Sequence, residues 1–281
     1  MPPQPDFCIY PSLLDKFQDL LDYEIIADEP WNKSGDDYKL TPDEMYYRIE
    51  SELIDMINRV DGIPCEAADR GTAFNEIIDC LIEHSSCRRR DMKIHSTTTP
   101  DMQKVIVAEI NDFKFIYDTQ FCKQVAALFP GSLTQYLCEG TMRTSRGTAL
   151  LYGYIDEWVG NRLYDIKTTG YYNFGKYERK WQRHLYPWCV IESGMTTEIE
   201  SFEYTVVVFP KGQLILSGSV YPEVYTYDHI QSTILLRGHV EAFIDWLESR
   251  RKFITNPRIF GGKLPDGYVG LPIDINSLKT T

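Results

Sequence analysis

The chain has 281 residues, 43% of them hydrophobic and 13% aromatic, so it is long enough to bury a substantial core in one elaborated domain. No segment approaches the about 20 apolar residues that a membrane span needs, and the N-terminus lacks the pattern of a secretory signal, so we expect a cytoplasmic protein without a membrane partner. The net charge of -12 excludes a surface that is basic overall, although basic clusters occur at 88–90 with Lys93, at 176–183 and at 250–252.

The first 60 residues are predicted to be a mainly helical elaboration. Apolar residues recur at helical spacing over residues 12–24. A second helix is expected to begin with Thr41 as its N-cap, Pro42 at the first helical position and Glu44 three residues after the cap. Residues 29–39 are polar and rich in turn-forming residues, so we expect a surface loop there.

The middle of the chain changes from helix to strand. A third helix is predicted over residues 67–84, with a stripe of apolar side chains along one face. A hairpin that turns at Asn111 and Asp112 follows, and then a short helix. Three strand-like segments come next, and Gly160 with Asn161 forms a two-residue hairpin turn between the second and the third.

The last third of the chain returns to helix. We predict a helix over residues 175–193, strands over 200–210 and 213–221, a long helix over 228–254 and an irregular tail over 256–281. This order predicts an α/β fold (α+β mixed) in which helices cover both faces of a central mixed β-sheet. No repeat or linker divides the chain, so we expect one domain over residues 1–281.

Two carboxylates and a lysine lie on the strands joined by the Gly160 turn. Pairing outward from that turn places Asp156 opposite Asp165, with Cβ atoms about 5 Å apart. Lys167 lies two residues beyond Asp165 and therefore points to the same face. Facing carboxylates repel each other unless a cation lies between them, and oxygen ligands suit Mg²⁺ or Mn²⁺. The carbonyl of Ile166 is a further candidate ligand.

This group of residues predicts a metal-dependent hydrolytic site. An ammonium group at Lys167 can hold an attacking water and offset the charge on a scissile phosphate. The alternative is an ordinary surface ladder in which Asp165 and Lys167 are solvated, because DxK triplets are common. That alternative explains poorly why Asp156 faces Asp165 within strands rich in Tyr, Ile and Leu.

An acidic residue on one strand followed by (D/E)xK on the next resembles the PD-(D/E)XK nuclease superfamily, and its RecB-like and phage-type exonuclease branch in particular. The resemblance covers residues 70–190, which we take as the catalytic core. The segment RGTAFNEIID resembles the RecB-like helix motif, a Gly followed by a His or Glu that approaches the metal. Glu76 fits the acidic version of this motif, whereas Asn75 stands where many members carry His. The resemblance implies Glu76 as a catalytic and metal-binding residue, and leaves open whether Glu76 or Asn75 contacts the metal.

A second motif, QxxxY, supports the same resemblance. Gln182 and Tyr186 are four residues apart and project from one face of a helix. The resemblance implies that they contact the DNA backbone or orient the active site, although an amphipathic helix with a half-buried Gln and Tyr would show the same spacing. Arg179, Lys180 and Arg183 add positive charge nearby, and we predict that these five residues bind nucleic acid.

The resemblance implies a restriction-endonuclease-like fold and a deoxyribonuclease that depends on Mg²⁺ or Mn²⁺. It favours an exonuclease acting on DNA ends in recombination or repair, in a phage or mobile-element setting, either as a homo-oligomer or with a recombination partner protein. The alternatives are a structure-specific or restriction-like endonuclease and a catalytically inactive nucleic-acid-binding protein on the same fold. Some relatives carry an iron–sulfur cluster on cysteines near the C-terminus, but no cysteine follows Cys189 here, so we expect no cluster.

Overall fold

The order of helices and strands follows the prediction, with additions. The structure is a computed structural model that describes residues 4–29, 40–60 and 64–262. Its strands are β1 (Phe7–Ile9), β2 (Met92–Thr98), β3 (Lys104–Ile110), β4 (Phe113–Asp118), β5 (Leu133–Thr144), β6 (Gly147–Val159), β7 (Arg162–Thr169), β8 (Ser201–Val208) and β9 (Ser219–Thr226). Its helices are α1 (Pro11–Leu21), α2 (Tyr23–Asp28), α3 (Pro42–Asn58), α4 (Glu66–Glu83), α5 (Thr119–Ala126), α6 (Gln182–Glu192) and α7 (His229–Ser249), followed by 3₁₀ turns at Arg251–Phe253 and Pro257–Phe260.

The central sheet is mixed, as predicted. Its strands are ordered β1-β6-β7-β8-β9, and β5 pairs with the other edge of β6. The pairs β1–β6 and β7–β8 are parallel, and the others are antiparallel. On one edge of β6, β1 pairs with residues 149–151 and β7 with residues 157–159. Residues 152–156 of β6 therefore face a gap between two strands, and Asp156 stands at one end of it.

Helices cover both faces of the sheet, which confirms the predicted layering. On one face, α1, α3, α6 and α7 bury a core that includes Phe17, Tyr204 and Phe243. On the other face, α4, α5 and a small sheet bury a second core around Phe74 and Phe209. Because β6 and β7 lie between the two cores, the packing on both faces fixes where their side chains point.

The small sheet has the strand order β2-β3-β4. The hairpin β3–β4 turns at Asn111 as predicted, and Asn111 has the positive φ of 49° that such a turn requires. The prediction missed β2, which pairs along its whole length with β3. Its segment MKIHSTT is mostly exposed and polar, so it lacks the apolar alternation that reveals a strand.

Two predicted boundaries are wrong, and a second strand besides β2 was not predicted. The strand expected over residues 213–221 is instead Ser219–Thr226, because Leu216 forms an isolated bridge with Tyr117 of β4 and the chain pairs with β8 only from Ser219 onward. The helix expected over 175–193 begins only at Gln182, since the backbone amide of Tyr177 donates to Glu223 on β9 (3.2 Å) and residues before 182 form turns. Strand β1 was also missed, because three residues are too few to show a period.

The predicted start of the second helix is confirmed. Thr41 caps α3, its hydroxyl accepts from the amide of Glu44, and the Glu44 carboxylate accepts from the amide of Thr41 in return. The loop predicted over residues 29–39 lies outside the described residues from 30 onward, and so does the tail beyond residue 262. No helix in the described ranges is long and apolar enough to cross a membrane.

Candidate active site

The hairpin that carries the predicted carboxylates forms only in part. Val159 pairs with Arg162, Trp158 with Leu163 and Glu157 with Tyr164, as the Gly160 turn predicts. The pair expected next, Asp156 with Asp165, is absent from the ladder between β6 and β7, so this prediction is wrong. The reason is chemical: the side chain of Asp156 accepts a hydrogen bond from the backbone amide of Ile166 (2.8 Å), in place of a ladder bond between main chains. The strands diverge at this point, and the two carboxylates remain close enough for the charge of Asp165 to raise the pKa of Asp156.

Asp156 is half-buried and receives only neutral donors. Besides the amide of Ile166, its Oδ2 accepts from the side-chain amide of Asn75 (3.3 Å), and its Oδ1 accepts from Gln135 (3.3 Å). Burial raises the pKa of Asp156 to about 7, and the charge of Asp165 adds to the rise. The charge of Lys167 offsets this rise only in part, because Lys167 forms its ion pair with Asp165.

Gln135 is a site residue that the sequence did not reveal. It lies on β5 between Thr134 and Tyr136, which pair with Glu157 and Ile155 on either side of Asp156. Its φ of 46° is in the left-handed region, which non-glycine residues seldom adopt. A single Gln within a strand pattern gives no sign of this backbone conformation.

Asp165, in contrast, is almost fully buried and has charged and neutral partners. Lys167 forms an ion pair with its Oδ2 (2.6 Å), and Gln182 donates to its Oδ1 (2.7 Å). Burial by itself would lower the pKa of Lys167, but the carboxylates of Asp165 and Asp156 outweigh that effect and raise it. Lys167 is therefore a cation at neutral pH, suited to stabilising negative charge and not to accepting a proton.

Two glycines let α6 hold the QxxxY residues against the sheet. A Cβ atom on Gly153 would lie 2.6 Å from the ring of Tyr186, and one on Gly140 would lie 2.7 Å from the ring of Trp188. This close approach buries both Gln182 and Tyr186, with the amide of Gln182 directed at Asp165 and 3.5 Å from the Tyr186 hydroxyl. Of the two roles that the resemblance implied, this burial favours orienting the active site.

On the opposite face, Gly71 lets α4 approach β7. A Cβ atom there would lie 2.8 Å from the hydroxyl oxygen of Thr168, next to Lys167. From this helix Asn75 reaches Asp156 and also the carbonyl of Ile166 (3.5 Å). The carboxylate of Glu76 instead accepts from the backbone amide of Arg88 (2.7 Å) and lines the same cavity as Asp156. The motif RGTAFNEIID therefore does bring both Asn75 and Glu76 to the site.

A second pair of carboxyl groups lies behind Asp156. Asp79, one turn beyond Asn75 on α4, meets Glu157, and both are buried. Burial, together with the charges of Glu157, Asp156 and Glu76, raises the pKa of Asp79 to about 9. Burial likewise raises the pKa of Glu157 to about 8, although a hydrogen bond with the side chain of Ser132 offsets part of the rise. Neither residue was predicted from the sequence.

The three predicted basic residues near α6 all have partners. Arg179 forms an ion pair with Asp22 (3.1 Å) and Lys180 with Asp15 (3.8 Å). The guanidinium of Arg183 lies 4.3 Å from the ring centre of Tyr225. These contacts hold the three side chains against α1 and β9.

The residues present fit a divalent cation. Asp156 and Asp165 supply carboxylates at one opening, and the carbonyl of Ile166 lies beside them. The Oδ1 atom of Asn75 is buried and has no hydrogen-bond partner within the described part of the chain. Because an amide can turn over and exchange its oxygen and nitrogen, Asn75 offers a further oxygen ligand next to Asp156 and Ile166. Such an all-oxygen set suits Mg²⁺ or Mn²⁺.

The candidate metal site includes ligands other than acidic side chains. Within residues 4–29, 40–60 and 64–262, no three His, Cys, Asp or Glu side chains form a group able to hold a metal ion. The proposed ligands include only two acidic side chains, and the others are a backbone carbonyl and a side-chain amide, so they do not form a group of this kind.

Two cavities adjoin the site. The site cavity has a volume of about 670 Å³ and is lined by Asp156, Glu76, Asp79, Gln135, Tyr154, Arg88 and Arg89, among others. The tyrosine cavity has a volume of about 420 Å³ and is lined by Tyr10, Tyr152, Tyr154, Tyr186 and Arg59, among others. Tyr154 lines both cavities.

Comparison with known proteins assigns no family. No family model matches the chain, and no curated protein matches it. A solved structure described as "Crystal structure of SSO0001" is similar at 15% sequence identity and a TM-score of 0.30. The match covers 48% of this chain and 61% of that one, so the chain spans less than two thirds of that structure's length. A likeness of this strength carries no argument about function.

Proposed function

We propose that this chain is a divalent-metal-dependent nuclease that hydrolyses phosphodiester bonds in DNA. The observation that carries the proposal is the convergence of Asp156, Asp165 and Lys167 where β6 and β7 diverge. The ion pair of Lys167 with Asp165 and the contact of Asp156 with the Ile166 amide support it. A surface ladder of solvated side chains would have neither a buried Asp165 nor a carboxylate inserted between strands.

In the proposed mechanism, Asp156, Asp165 and the Ile166 carbonyl would hold Mg²⁺ or Mn²⁺, and Asn75 would offer a further oxygen. The cation supplies charge neutralisation for a phosphodiester and its attacking water. Lys167 positions that water and offsets charge that develops on the phosphate, since its raised pKa keeps it protonated. Gln182 keeps Asp165 in place through its 2.7 Å hydrogen bond. Glu76 acts on the site indirectly, through the backbone of Arg88.

The mode of cleavage is the finer part of the proposal. We favour an exonuclease on DNA ends that serves recombination or repair in the cytoplasm, a choice that rests on the motif resemblance alone. A structure-specific endonuclease would use the same three residues. A catalytically inactive binding protein is disfavoured because a binding surface needs no pair of carboxylates with a buried lysine at its centre.

The test is cleavage of labelled linear DNA, covalently closed circular DNA and RNA with Mg²⁺, with Mn²⁺ and with EDTA. We expect cleavage of linear DNA that requires the metal, and its loss in Lys167→Ala. The matched control is Lys176→Ala, which removes an exposed ammonium from a neighbouring loop and is expected to retain activity. Rapid cleavage of closed circles would replace the exonuclease by an endonuclease. If no substrate is cleaved with either metal, the nuclease proposal is wrong.

A further inference from the structure

Helix α6 begins without a cap from its own sequence. The side chain of Trp181, the residue before its first turn, forms no capping hydrogen bond, and that turn contains no acidic residue. The amide groups at a helix N-terminus need acceptors, and the partial positive charge there favours an anion. Gln182 is the first residue of α6 and donates to Asp165 (2.7 Å). The position of Gln182 in the site therefore depends on what fixes the start of this helix.

A carboxylate from α1 supplies the missing contact. The Oδ1 atom of Asp15 accepts a hydrogen bond from the backbone amide of Trp181 (2.7 Å), and its Oδ2 atom lies 3.8 Å from the ammonium of Lys180. The side chain of Asp15 is only 14% exposed, so these contacts are largely shielded from water. A hydrogen bond to an ionised carboxylate is stronger than one between neutral groups. Asp15 therefore takes the place of a cap for α6.

Helix α1 also holds the ring of Trp181, through α7. The indole ring stacks on the imidazole of His239, with ring centres 3.9 Å apart and an angle of 7° between the planes. The Nε2 atom of His239 lies 3.0 Å from the carbonyl oxygen of Leu14, the residue before Asp15. The backbone of Trp181 is thus held by Asp15, and its ring is held by a side chain that contacts Leu14. Two consecutive residues of α1 fix the start of α6.

The charge of Asp15 also reaches the site. Burial raises the pKa of Asp15, and the charge of Lys180, the amide of Trp181 and the charge of Lys167 offset part of the rise. In return, Asp15 adds to the carboxylates that raise the pKa of Lys167, after the larger contributions of Asp165 and Asp156. The carboxylate on α1 is therefore close enough to interact with the ammonium of the site.

We propose that Asp15 is a positioning residue of the candidate site, because it holds the start of α6 where Gln182 can orient Asp165. The contacts run from Asp15 to Trp181, and from the neighbouring Gln182 to Asp165. Asp15 acts through Gln182 and is not itself a ligand of the cation. The N-terminal helix, predicted only as an elaboration outside the catalytic core, thereby contributes to the site. The expected effect on cleavage rests on the proposed function, whereas the positions of Gln182 and Asp165 do not.

The first test compares cleavage of linear DNA with Mn²⁺ by Asp15→Ala, Asp15→Asn and the matched control Asp19→Asn. Asp15→Asn keeps an oxygen that can accept from the amide of Trp181, whereas Asp15→Ala removes the acceptor. Asp19 lies one helical turn further along α1 in the same depression and pairs with Lys16 (4.0 Å). We expect kcat to fall about tenfold in Asp15→Ala with KM nearly unchanged, to fall less in Asp15→Asn and to be normal in Asp19→Asn.

The second test needs neither cleavage nor substrate. In metal-free crystal structures, the 2.7 Å hydrogen bond from Gln182 to Asp165 should lengthen beyond about 3.5 Å in Asp15→Ala and persist in Asp15→Asn. Calorimetric titration should show about tenfold weaker Mn²⁺ binding by Asp15→Ala. Thermal melts establish that each variant is folded. If Asp15→Ala does not fold, Asp15→Glu replaces it, since the longer side chain displaces the acceptor and keeps the charge.

Three outcomes overturn the role of Asp15: full activity in Asp15→Ala, an equal loss in Asp15→Asn or Asp19→Asn, or an unchanged distance between Gln182 and Asp165 in Asp15→Ala. The nuclease proposal has its own readout. If the unmodified protein cleaves nothing with Mg²⁺ or Mn²⁺ but Asp15→Ala separates Gln182 from Asp165, the positioning role stands and the nuclease proposal falls. If the unmodified protein cleaves DNA and Asp15→Ala cleaves it equally well, the nuclease proposal stands and the positioning role falls.

Discussion

The two carboxylates of the candidate site lie at one opening in the sheet but in opposite electrostatic surroundings. Asp165, on the α6 side, has the ammonium of Lys167 at 2.6 Å and the amide of Gln182 at 2.7 Å. Asp156, on the α4 side, receives hydrogen bonds only from neutral groups and has Asp79 and Glu157 behind it. Asp165 therefore has an ammonium in direct contact, whereas Asp156 has no ion pair among the described residues and is affected by the charge of Lys167 only at longer range. The difference locates the place for a cation next to Asp156.

The largest expected effect is that neutralising Asp165 destabilises the fold whereas neutralising Asp156 does not. Asp165→Asn leaves Lys167 without its closest anion, so the free energy of unfolding should fall by about 3 kcal/mol. Asp156→Asn relieves repulsion among buried acids and should leave stability at pH 8 unchanged or raise it by about 1 kcal/mol. Urea unfolding of both variants without metal measures the difference. Equal destabilisation would mean that the two sides are not electrostatically distinct.

The second largest expected effect is a loss of cleavage when Gln182, which positions Asp165, is replaced. Gln182→Ala removes the donor to the buried Oδ1 of Asp165. Cleavage should fall about 10- to 100-fold, as for other groups that orient a metal ligand. Tyr186→Phe, which removes only the hydroxyl 3.5 Å from Gln182, serves as the control and should lose less. A direct DNA contact by Gln182 would instead weaken single-strand binding in EDTA, which the orienting role leaves unchanged.

The affinity for Mn²⁺ should depend on pH through Asp156. Burial raises the pKa of Asp156 to about 7, so the group loses its proton as the pH rises through that value. A cation binds the ionised form and must displace the proton below pH 7, which predicts about tenfold weaker binding for each pH unit below it. Calorimetric titration with Mn²⁺ from pH 5.5 to 8.5 checks this. An affinity that is constant over this range would exclude Asp156 as a ligand.

The smallest expected effect concerns the acid pair behind the site. The folded-state pKa of Glu157, about 8, lies above its ordinary value, so folded protein retains a proton that the unfolded chain releases. Stability is therefore highest below pH 4 with respect to this group and declines as the pH rises towards 8. Glu157→Gln should raise the free energy of unfolding by at least about 1 kcal/mol at pH 8 and leave it unchanged at pH 4. An equal gain in the free energy of unfolding at both pH values would indicate that Glu157→Gln acts through packing and not through charge.

The sequence predicted the parts of the site that depend on local patterns. The Gly160 turn fixed the register of β6 and β7 near their ends, and alternation placed Asp165 and Lys167 on one face. It failed where tertiary contacts override the pattern. The divergence of the strands at Asp156 depends on the Ile166 amide, and Gln135 reaches the site through a backbone conformation that no local motif announces.

Residues behind the site were missed for a related reason. Asp79 is one helical turn from Asn75, and an acidic residue at that spacing is ordinarily solvated. Its burial against Glu157 follows from how closely α4 packs on the sheet at Gly71, which a single sequence does not reveal. The layering of helices on both faces, in contrast, was predicted because it depends only on the order and apolar faces of the elements.

The proposed function requires a divalent cation between Asp156, which has no ion pair among the described residues, and Asp165, which pairs with Lys167. The most direct measurement is a crystal structure of the protein soaked in Mn²⁺, with anomalous scattering used to locate the ion. We predict a single strong peak in contact with a carboxylate oxygen of both residues and with the Ile166 carbonyl. A peak elsewhere, or no peak at Asp156 in a protein that Mn²⁺ activates for cleavage, would show that the catalytic cation does not bind between Asp156 and Asp165.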